Sequence, residues 1–267
     1  GSIMTPVHLT STYVQQELGV NKGFEYARVS NPTRTVLEKN IAILESGKEG
    51  LAFGSGMAAI STLFHMLKSG DHVILSKNVY GGTYRLGKLV LNNFNLDFEF
   101  VDTTNLENIN RAITKKTKMV FVETPTNPTM EITDLTGVAK ICRSKGLISV
   151  CDNTFASPFL QNPLEYGIYI VMHSATKYLN GHSDMLGGLL VLNDPKIVER
   201  LRFLQKSIGG IMSPFEAWLC LRGIKTLAVR MERHSDNAEQ VAGYLAEHPG
   251  VSEVYYPGLE SHAQYDV

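Results

Sequence analysis

Between about residues 50 and 195 the chain alternates short apolar runs with amphipathic stretches, and this alternation limits the possible folds more than any other feature. The apolar runs are short and bounded by polar or turn-forming residues, so they predict buried strands. Strands that alternate with helices predict an α/β fold around a mainly parallel sheet. The predicted strands span residues 73–75, 119–122, 148–151, 170–172 and 189–192, and the predicted helices residues 57–67, 83–92, 106–112 and 135–144.

The composition argues against a strongly charged partner. The 267 residues are 43% hydrophobic, with 25 basic against 26 acidic residues. This balance disfavours nucleic acid or a charged membrane surface as the main partner, and no apolar run approaches the roughly 20 residues of a spanning helix. The cysteines Cys142, Cys151 and Cys220 form no metal-binding pattern, so we expect reduced core thiols in a cytoplasmic protein.

The segment HSATKY at residues 173–178 follows a predicted strand and suggests a covalent cofactor. The amine of Lys177, just beyond the strand end, can form a Schiff base with an aldehyde. The hydroxyls of Ser174 and Thr176 can bind a phosphate group of the same cofactor. A solvated loop is the alternative interpretation of this segment.

Asp152 ends the predicted strand 148–151 and is the second candidate. A carboxylate in that position faces the crevice where open α/β sheets bind ligands. Pyridoxal phosphate needs an acid at its ring nitrogen, because the protonated ring accepts electrons from a substrate carbanion. The alternative is a helix cap or turn aspartate before Asn153 and Thr154.

The segment GSGMAA at residues 54–59 opens a helical pattern and offers backbone N–H groups to a phosphate. The same letters fit the G-x-G-x-x-A fingerprint, so a dinucleotide-dependent oxidoreductase is a rival hypothesis. That fingerprint expects an acidic residue at the end of the next strand. The chain has SKN at residues 76–78, and Asp71 precedes that strand, so the ribose ligand is lacking.

Tyr80 leads the glycine-rich segment YGGT at residues 80–83, directly after a predicted strand. An aromatic ring there can stack on a flat cofactor, and its hydroxyl can act as an acid or a base. Ordinary packing is the alternative.

The segments described above, together with several others, follow one another along the chain in an order that resembles the Cys/Met-metabolism family of pyridoxal-phosphate enzymes. This family includes cystathionine γ-lyase, γ-synthase and β-lyase, and methionine γ-lyase. The resemblance covers essentially the whole chain and implies the aspartate-aminotransferase-like fold (fold type I). It rests on FEYAR at 24–28, NPTR at 31–34, SGMAA at 55–59, YGGT at 80–83, ETPTNP at 123–128, DNTF at 152–155, HSATKY at 173–178, YLNGHSD at 178–184, RGIKTL at 222–227 and YPGL at 256–259.

The resemblance implies a role for each site residue. Lys177 would carry pyridoxal 5'-phosphate and shuttle protons, and Asp152 would pair with the ring nitrogen. Tyr80 would stack on the ring, and Asn127 would lie near the ring hydroxyl and the substrate carboxylate. The phosphate would be bound by Gly56, Met57, Ser174 and Thr176, together with Tyr26 and Arg28 from a neighbouring subunit.

The resemblance also implies a division of the chain. Residues 1–29 have little periodicity and predict an arm that reaches a neighbouring subunit. Residues 30–228 would form the large cofactor domain, and residues 229–267 the beginning of a truncated C-terminal domain. The expected assembly is a homotetramer built from active dimers, and we expect the main substrate-carboxylate arginine to lie beyond Val267.

The implied activity is the γ-elimination of cystathionine to cysteine, 2-oxobutanoate and ammonia, which belongs to transsulfuration. The alternative is cystathionine γ-synthase, which replaces the acyl group of an O-acylhomoserine by cysteine. Gly82 disfavours methionine γ-lyase, where the resemblance leads us to expect a cysteine. Arg85 aligns with an arginine near the substrate entrance. His173 and His182 lack the further ligands of a metal site, so no metal is expected.

Overall fold

The computed structural model describes residues 1–267 and is built around one seven-stranded sheet. The strands are β1 (Glu49–Phe53), β2 (His72–Ser76), β3 (Asp97–Val101), β4 (Thr117–Glu123), β5 (Ile148–Asp152), β6 (Ile170–Ser174) and β7 (Gly188–Leu192). Their order across the sheet is β1-β7-β6-β5-β4-β2-β3. Only β7 runs antiparallel to its neighbours, so the predicted mainly parallel α/β sheet is confirmed.

All five predicted strands are present, whereas β1 and β3 were not predicted. The helices are α1 (Pro32–Leu44), α2 (Gly56–Phe64), α3 (Gly81–Arg85), α4 (Leu106–Ala112), α5 (Leu135–Lys145), α6 (Ser157–Leu160), α7 (Pro195–Ile208), α8 (Pro214–Ile224) and α9 (Leu227–Ala246). None of them combines the length and the apolar character that crossing a lipid bilayer requires.

The predicted helix at residues 83–92 is irregular. It begins earlier, as α3, and continues as a π-helical segment at Leu86–Val90 and a 3-10 turn at Leu91–Phe94. The helix predicted at residues 57–67 is α2, which ends at Phe64. The shorter α2 differs at a helix end, which sequence patterns locate least well, whereas the π-helical segment interrupts the middle of the predicted helix.

Neighbouring side chains of a strand point to opposite faces of the sheet, so a strand of apolar residues has two faces to bury. Helices cover both faces of this sheet. Val73 and Leu75 of β2 belong to one apolar cluster, with Phe64 of α2, while Ile74 belongs to another, with Val138 of α5. The three cysteines are unpaired and buried, with Cys142 and Cys151 in the cluster of Ile74 and with Cys220 in a third cluster.

The two ends of the chain contain little regular structure. No helix or strand precedes α1 or follows α9. The N-terminal segment lies against the start of α1, where the backbone N–H of His8 donates to Thr33 Oγ1 at 3.0 Å. The predicted domain boundary after residue 228 falls in the first turn of α9. The division into arm and domains stays a prediction.

The direction of the strands determines where a site can form. Strands β1, β2, β4, β5 and β6 all run in the same direction, so their carboxyl ends meet at one edge of the sheet. Helices α2 and α3 begin at this edge. It is the edge where open α/β sheets bind their ligands.

Candidate active site

A cavity of about 210 Å³ opens at the carboxyl edge of the sheet. It collects the ends of β4, β5 and β6 and the starts of α2 and α3. Eight of the ten predicted site residues line it, although they come from five separate segments of the chain. The lining consists of Ser55, Gly56, Met57, Ile60, Tyr80, Glu123, Asn127, Asp152, Thr154, Phe155, Met172, Ser174, Thr176, Lys177 and Leu186.

Lys177 lies in a turn directly after β6, where its backbone N–H donates to the carbonyl of Ser174 at 3.2 Å. It is the only lysine in the cavity lining. The turn is fixed on both sides, because the Ser174 N–H donates to Thr154 Oγ1 at 2.8 Å and the Gly187 N–H donates to Thr176 Oγ1 at 3.1 Å. These contacts hold Lys177 at the cavity wall, where its amine forms no ion pair with an acidic side chain.

Asp152 ends β5 and is buried. Its Oδ1 accepts hydrogen bonds from the backbone N–H of Thr154 at 3.1 Å and from the Thr154 hydroxyl. Burial raises the pKa of this carboxyl, although the Thr154 hydrogen bonds and the nearby His173 act in the opposite direction. Oδ2 makes no hydrogen bond to the protein, so the site suits a cation that approaches from the cavity.

Helix α2 begins at the cavity. Its N-cap is Ser55, whose Oγ accepts the backbone N–H of Ala58 at 3.0 Å. The N–H groups that precede Ala58 in the helix have no intrahelical partner, as at the start of any α-helix. A Cβ added at Gly56 would lie 3.2 Å from Ser174 Cβ, so glycine allows the helix start to approach β6 closely. The free N–H groups, the helix dipole and the nearby hydroxyls suit an anion.

Tyr80 precedes α3, and its side chain is half exposed toward the cavity. Its backbone N–H donates to Glu123 Oε2 at 2.7 Å. Gly82 provides room for this ring, because a Cβ at position 82 would collide with the ring of Tyr80 and lie 2.7 Å from Met57 Sδ. Position 82 therefore controls where the Tyr80 ring lies.

We expect Gly82→Ala to displace Tyr80 and to weaken cofactor binding about three- to tenfold, the range of one lost aromatic contact. Gly81→Ala is the matched control, because its Cβ would meet only Arg85 Nη1 at an ordinary 3.5 Å. Equilibrium dialysis of the cofactor against both variants measures the effect. Equal affinities of the two variants would contradict the assignment of Gly82 as the residue that makes room for the ring.

Sequence reasoning missed the roles of Glu123 and Thr154 in this cavity. Glu123 ends β4 directly beside Asp152, its register partner on β5, and is buried. Burial and the charge of Asp152 raise the pKa of Glu123 to about 8, outweighing the backbone N–H groups of Tyr80 and Asn127. Glu123, like Asp152, is an acidic residue at the carboxyl end of an apolar strand, so the same pattern could have identified it.

The raised pKa of Glu123 predicts how the stability of the cofactor-free protein depends on pH. The ordinary value is 4.5 and the folded value about 8, so the protonated acid stabilises the fold below pH 4.5 and this contribution is lost as the pH rises through 8. At pH 9 we expect Glu123→Gln to raise the free energy of unfolding by on the order of 3 kcal/mol, and at pH 4 to change it little.

Urea unfolding at both pH values measures this difference. Glu199→Gln, at an exposed position on α7, is the control and should leave the stability profile unchanged. A Glu123→Gln protein that is no more stable than wild type at pH 9 would contradict the raised pKa.

Several predicted residues do not line the cavity of the same subunit. Arg28 Nη1 donates to the backbone carbonyl of Lys206 at 2.6 Å, and its guanidinium lies 5.1 Å from the ring centroid of Tyr26. Arg85 is also absent from the lining.

His173 pairs through Nε2 with the buried carboxylate of Glu45, and His182 Nδ1 lies 2.6 Å from the carbonyl of Asn180. No group of three metal-ligating side chains converges anywhere in the chain.

Comparisons with known proteins agree on the family and the fold of the chain. The model of the family described as "Cys/Met metabolism PLP-dependent enzyme" matches residues 1–267. A cystathionine β-lyase of Coxiella burnetii is 52% identical over all of this chain and 70% of its own length. A cystathionine γ-lyase of Bacillus subtilis is 48% identical, with the same coverage. The crystal structure of cystathionine γ-lyase from Lactobacillus plantarum complexed with L-serine has a TM-score of 0.96 and 47% identity, covering 98% of this chain and 68% of that chain.

Proposed function

The chain belongs to the Cys/Met metabolism family of PLP-dependent enzymes, and on this basis we propose that it catalyses the γ-elimination of cystathionine. The reaction consumes water and releases cysteine, 2-oxobutanoate and ammonia. The observation that carries the proposal is one cavity lined by Lys177, Asp152, Tyr80 and the start of α2. Two γ-lyases with 47% and 48% identity support the choice of reaction.

The residues in the cavity fit pyridoxal phosphate on three independent points. Lys177 offers an amine for the aldehyde, and it has no competing acidic partner. Asp152 is a buried acid with one oxygen free of protein hydrogen bonds, which suits a protonated ring nitrogen. The start of α2, with Ser174 and Thr176, offers N–H and hydroxyl groups to the phosphate.

When bound, pyridoxal phosphate supplies an electron sink that stabilises negative charge at the substrate Cα. Once substrate has displaced it from the cofactor, the Lys177 amine would take the Cα proton, return that proton to the bound substrate and cofactor, and then take a Cβ proton, because it is the only amine in the lining. Asp152 Oδ2 would keep the ring nitrogen protonated. The Tyr80 hydroxyl would donate a proton to the departing sulfur, and buried Ile60 and Met172 would limit the access of water.

A second candidate is the β-elimination of cystathionine, which releases homocysteine, pyruvate and ammonia. It is favoured by the 52% identity with a cystathionine β-lyase. Both reactions begin with loss of the Cα proton and use the same amine, acid and phosphate site. They differ in whether the bond from sulfur to Cγ or to Cβ breaks.

One product assay tests the proposal. Cystathionine is incubated with the enzyme, and 2-oxobutanoate and pyruvate are separated by chromatography, while synthesis from an O-acylhomoserine and cysteine is measured on the same preparation. The proposal expects 2-oxobutanoate to be formed with the largest kcat/KM, the quantity that reports discrimination between reactions. Dominant pyruvate would assign β-elimination, and dominant cystathionine synthesis would assign the γ-synthase reaction.

We further propose that Tyr26 and Arg28 serve the cavity of a second copy of the chain in a dimer. Within one subunit neither residue lines the cavity, and both lie on a segment with no helix or strand of its own. The planar guanidinium of Arg28 suits a phosphate because it donates two hydrogen bonds at once.

Mixing Arg28→Ala subunits with Lys177→Ala subunits tests the shared site. A hybrid dimer would contain one cavity with both defects and one with neither, so we expect activity to recover to about a quarter of wild type after statistical exchange. The exchange itself is followed by native mass spectrometry. Complete exchange without recovered activity would place Arg28 in its own subunit's site, and an Arg28→Ala protein that is fully active by itself would place Arg28 outside any site.

A further inference from the structure

The side chain of Glu123 contacts backbone N–H groups in two different loops. Its carboxylate is buried at the carboxyl end of β4, in register with Asp152. It accepts the backbone N–H of Tyr80 at 2.7 Å and also lies near the backbone N–H of Asn127. One side chain therefore connects the loop after β2 with the loop after β4.

Asn78 Nδ2 also links the two loops, because it donates to Thr129 Oγ1 at 3.3 Å and to Glu131 Oε2 at 2.9 Å, but none of these three residues lines the cavity. The side chain of Tyr80 is half exposed, and its hydroxyl makes no hydrogen bond within the protein. Asn127 is exposed as well, and its amide makes no side-chain hydrogen bond. The contacts of Glu123 with the backbone therefore contribute to the positions of Tyr80 and Asn127.

An ionisable acid is an unfavourable anchor for a loop at this point. Placing a second acid beside buried Asp152 costs stability, since both desolvation and the neighbouring charge oppose its ionised form. A neutral acceptor of the same length would hold the same N–H groups without that cost. The length of the side chain, which reaches both loops, is therefore the property that the geometry singles out.

We propose that Glu123 is a positioning residue that holds Tyr80 and Asn127 against the bound cofactor through the reach of its side chain. This inference rests on the proposed function, because it takes the cavity as the pyridoxal phosphate site. Glu123 acts through Tyr80 and Asn127 and has no direct part in proton transfer.

Two substitutions separate the reach of the side chain from its ionisable group. Glu123→Gln keeps the length and an accepting oxygen but removes the ionisable group, whereas Glu123→Asp keeps an ionisable group and shortens the side chain. Equilibrium dialysis of pyridoxal phosphate against each protein gives the dissociation constant. We expect Gln to bind within about threefold of wild type and Asp to bind about tenfold more weakly, as for one lost buried hydrogen bond. The reverse order would overturn the inference.

A double-mutant cycle tests whether the effect passes through Tyr80. In a Tyr80→Ala background we expect the loss caused by Glu123→Asp to shrink by about threefold or more, because coupled residues are not additive. Full additivity would overturn the proposed connection. Glu38→Gln is the control, since Glu38 is also buried and accepts the N–H of Ala52 at 3.0 Å but lies outside the cavity. It should leave the dissociation constant unchanged.

The same samples distinguish failure of this inference from failure of the proposed function. Borohydride treatment of the wild-type protein with cofactor, followed by peptide mass spectrometry, reports attachment to Lys177. If Lys177 carries the cofactor and Glu123→Asp still binds like wild type, only the role of Glu123 is wrong. If wild type carries no cofactor on Lys177, the proposed function itself is wrong, and the role of Glu123 is overturned with it.

Discussion

Lys177→Ala is expected to abolish turnover, with a loss on the order of a thousandfold or more. The amine of Lys177 would both carry the cofactor and transfer protons, and a general base alone contributes about 10²–10⁴-fold. No other lysine lines the cavity, so no nearby amine can replace it. Steady-state release of 2-oxoacid from cystathionine, measured with saturating pyridoxal phosphate, gives the effect.

Lys206→Ala is the matched control for this prediction. Its side chain packs near the ring of Phe203 on α7 and does not line the cavity. We expect the control to keep turnover close to wild type. A Lys177→Ala enzyme that retained a tenth or more of the wild-type rate would rule out Lys177 as the essential amine.

Asp152→Asn is expected to retain the cofactor but to lower kcat by on the order of 10²–10⁴-fold. The amide keeps the shape of the side chain and can still accept from Thr154, but it carries no negative charge. An unprotonated ring is a poor electron sink, so loss of the carboxylate should slow removal of the Cα proton. The measurements are kcat and the amount of cofactor bound per subunit.

Two results bear on this expectation. A substrate deuterated at Cα should show a larger kinetic isotope effect in Asp152→Asn than in wild type, because proton removal becomes slower. Asp134→Asn, at the N-cap of α5 and outside the cavity, should show neither change. Near-wild-type kcat in Asp152→Asn would remove Asp152 from the mechanism.

The strands that position the site were predictable because their signal is local. Strands β4, β5 and β6 are apolar runs that end in polar residues, and the sheet brings those ends, Glu123, Asp152 and Ser174, to one edge. The approach of Lys177, Asp152 and Gly56 to one cavity follows from the parallel direction of the strands. Family resemblance supplied the roles that these positions alone leave open.

The elements that were missed depend on contacts distant in sequence. Strand β1 contains Gly50 and is completed by antiparallel pairing with β7, which lies far along the chain. Strand β3 lies at the sheet edge and mixes Asp97 and Glu99 with apolar residues. The role of Glu123 follows from a hydrogen bond to a loop 43 positions earlier, which no local pattern records.

The proposed function depends on attachment of pyridoxal phosphate to Lys177 in this cavity. The most direct measurement is borohydride reduction of the wild-type protein loaded with the cofactor, followed by proteolysis and peptide mass spectrometry. We expect a single adduct of cofactor mass on the peptide that contains Lys177. An adduct on another lysine such as Lys206, or no adduct at all, would contradict it.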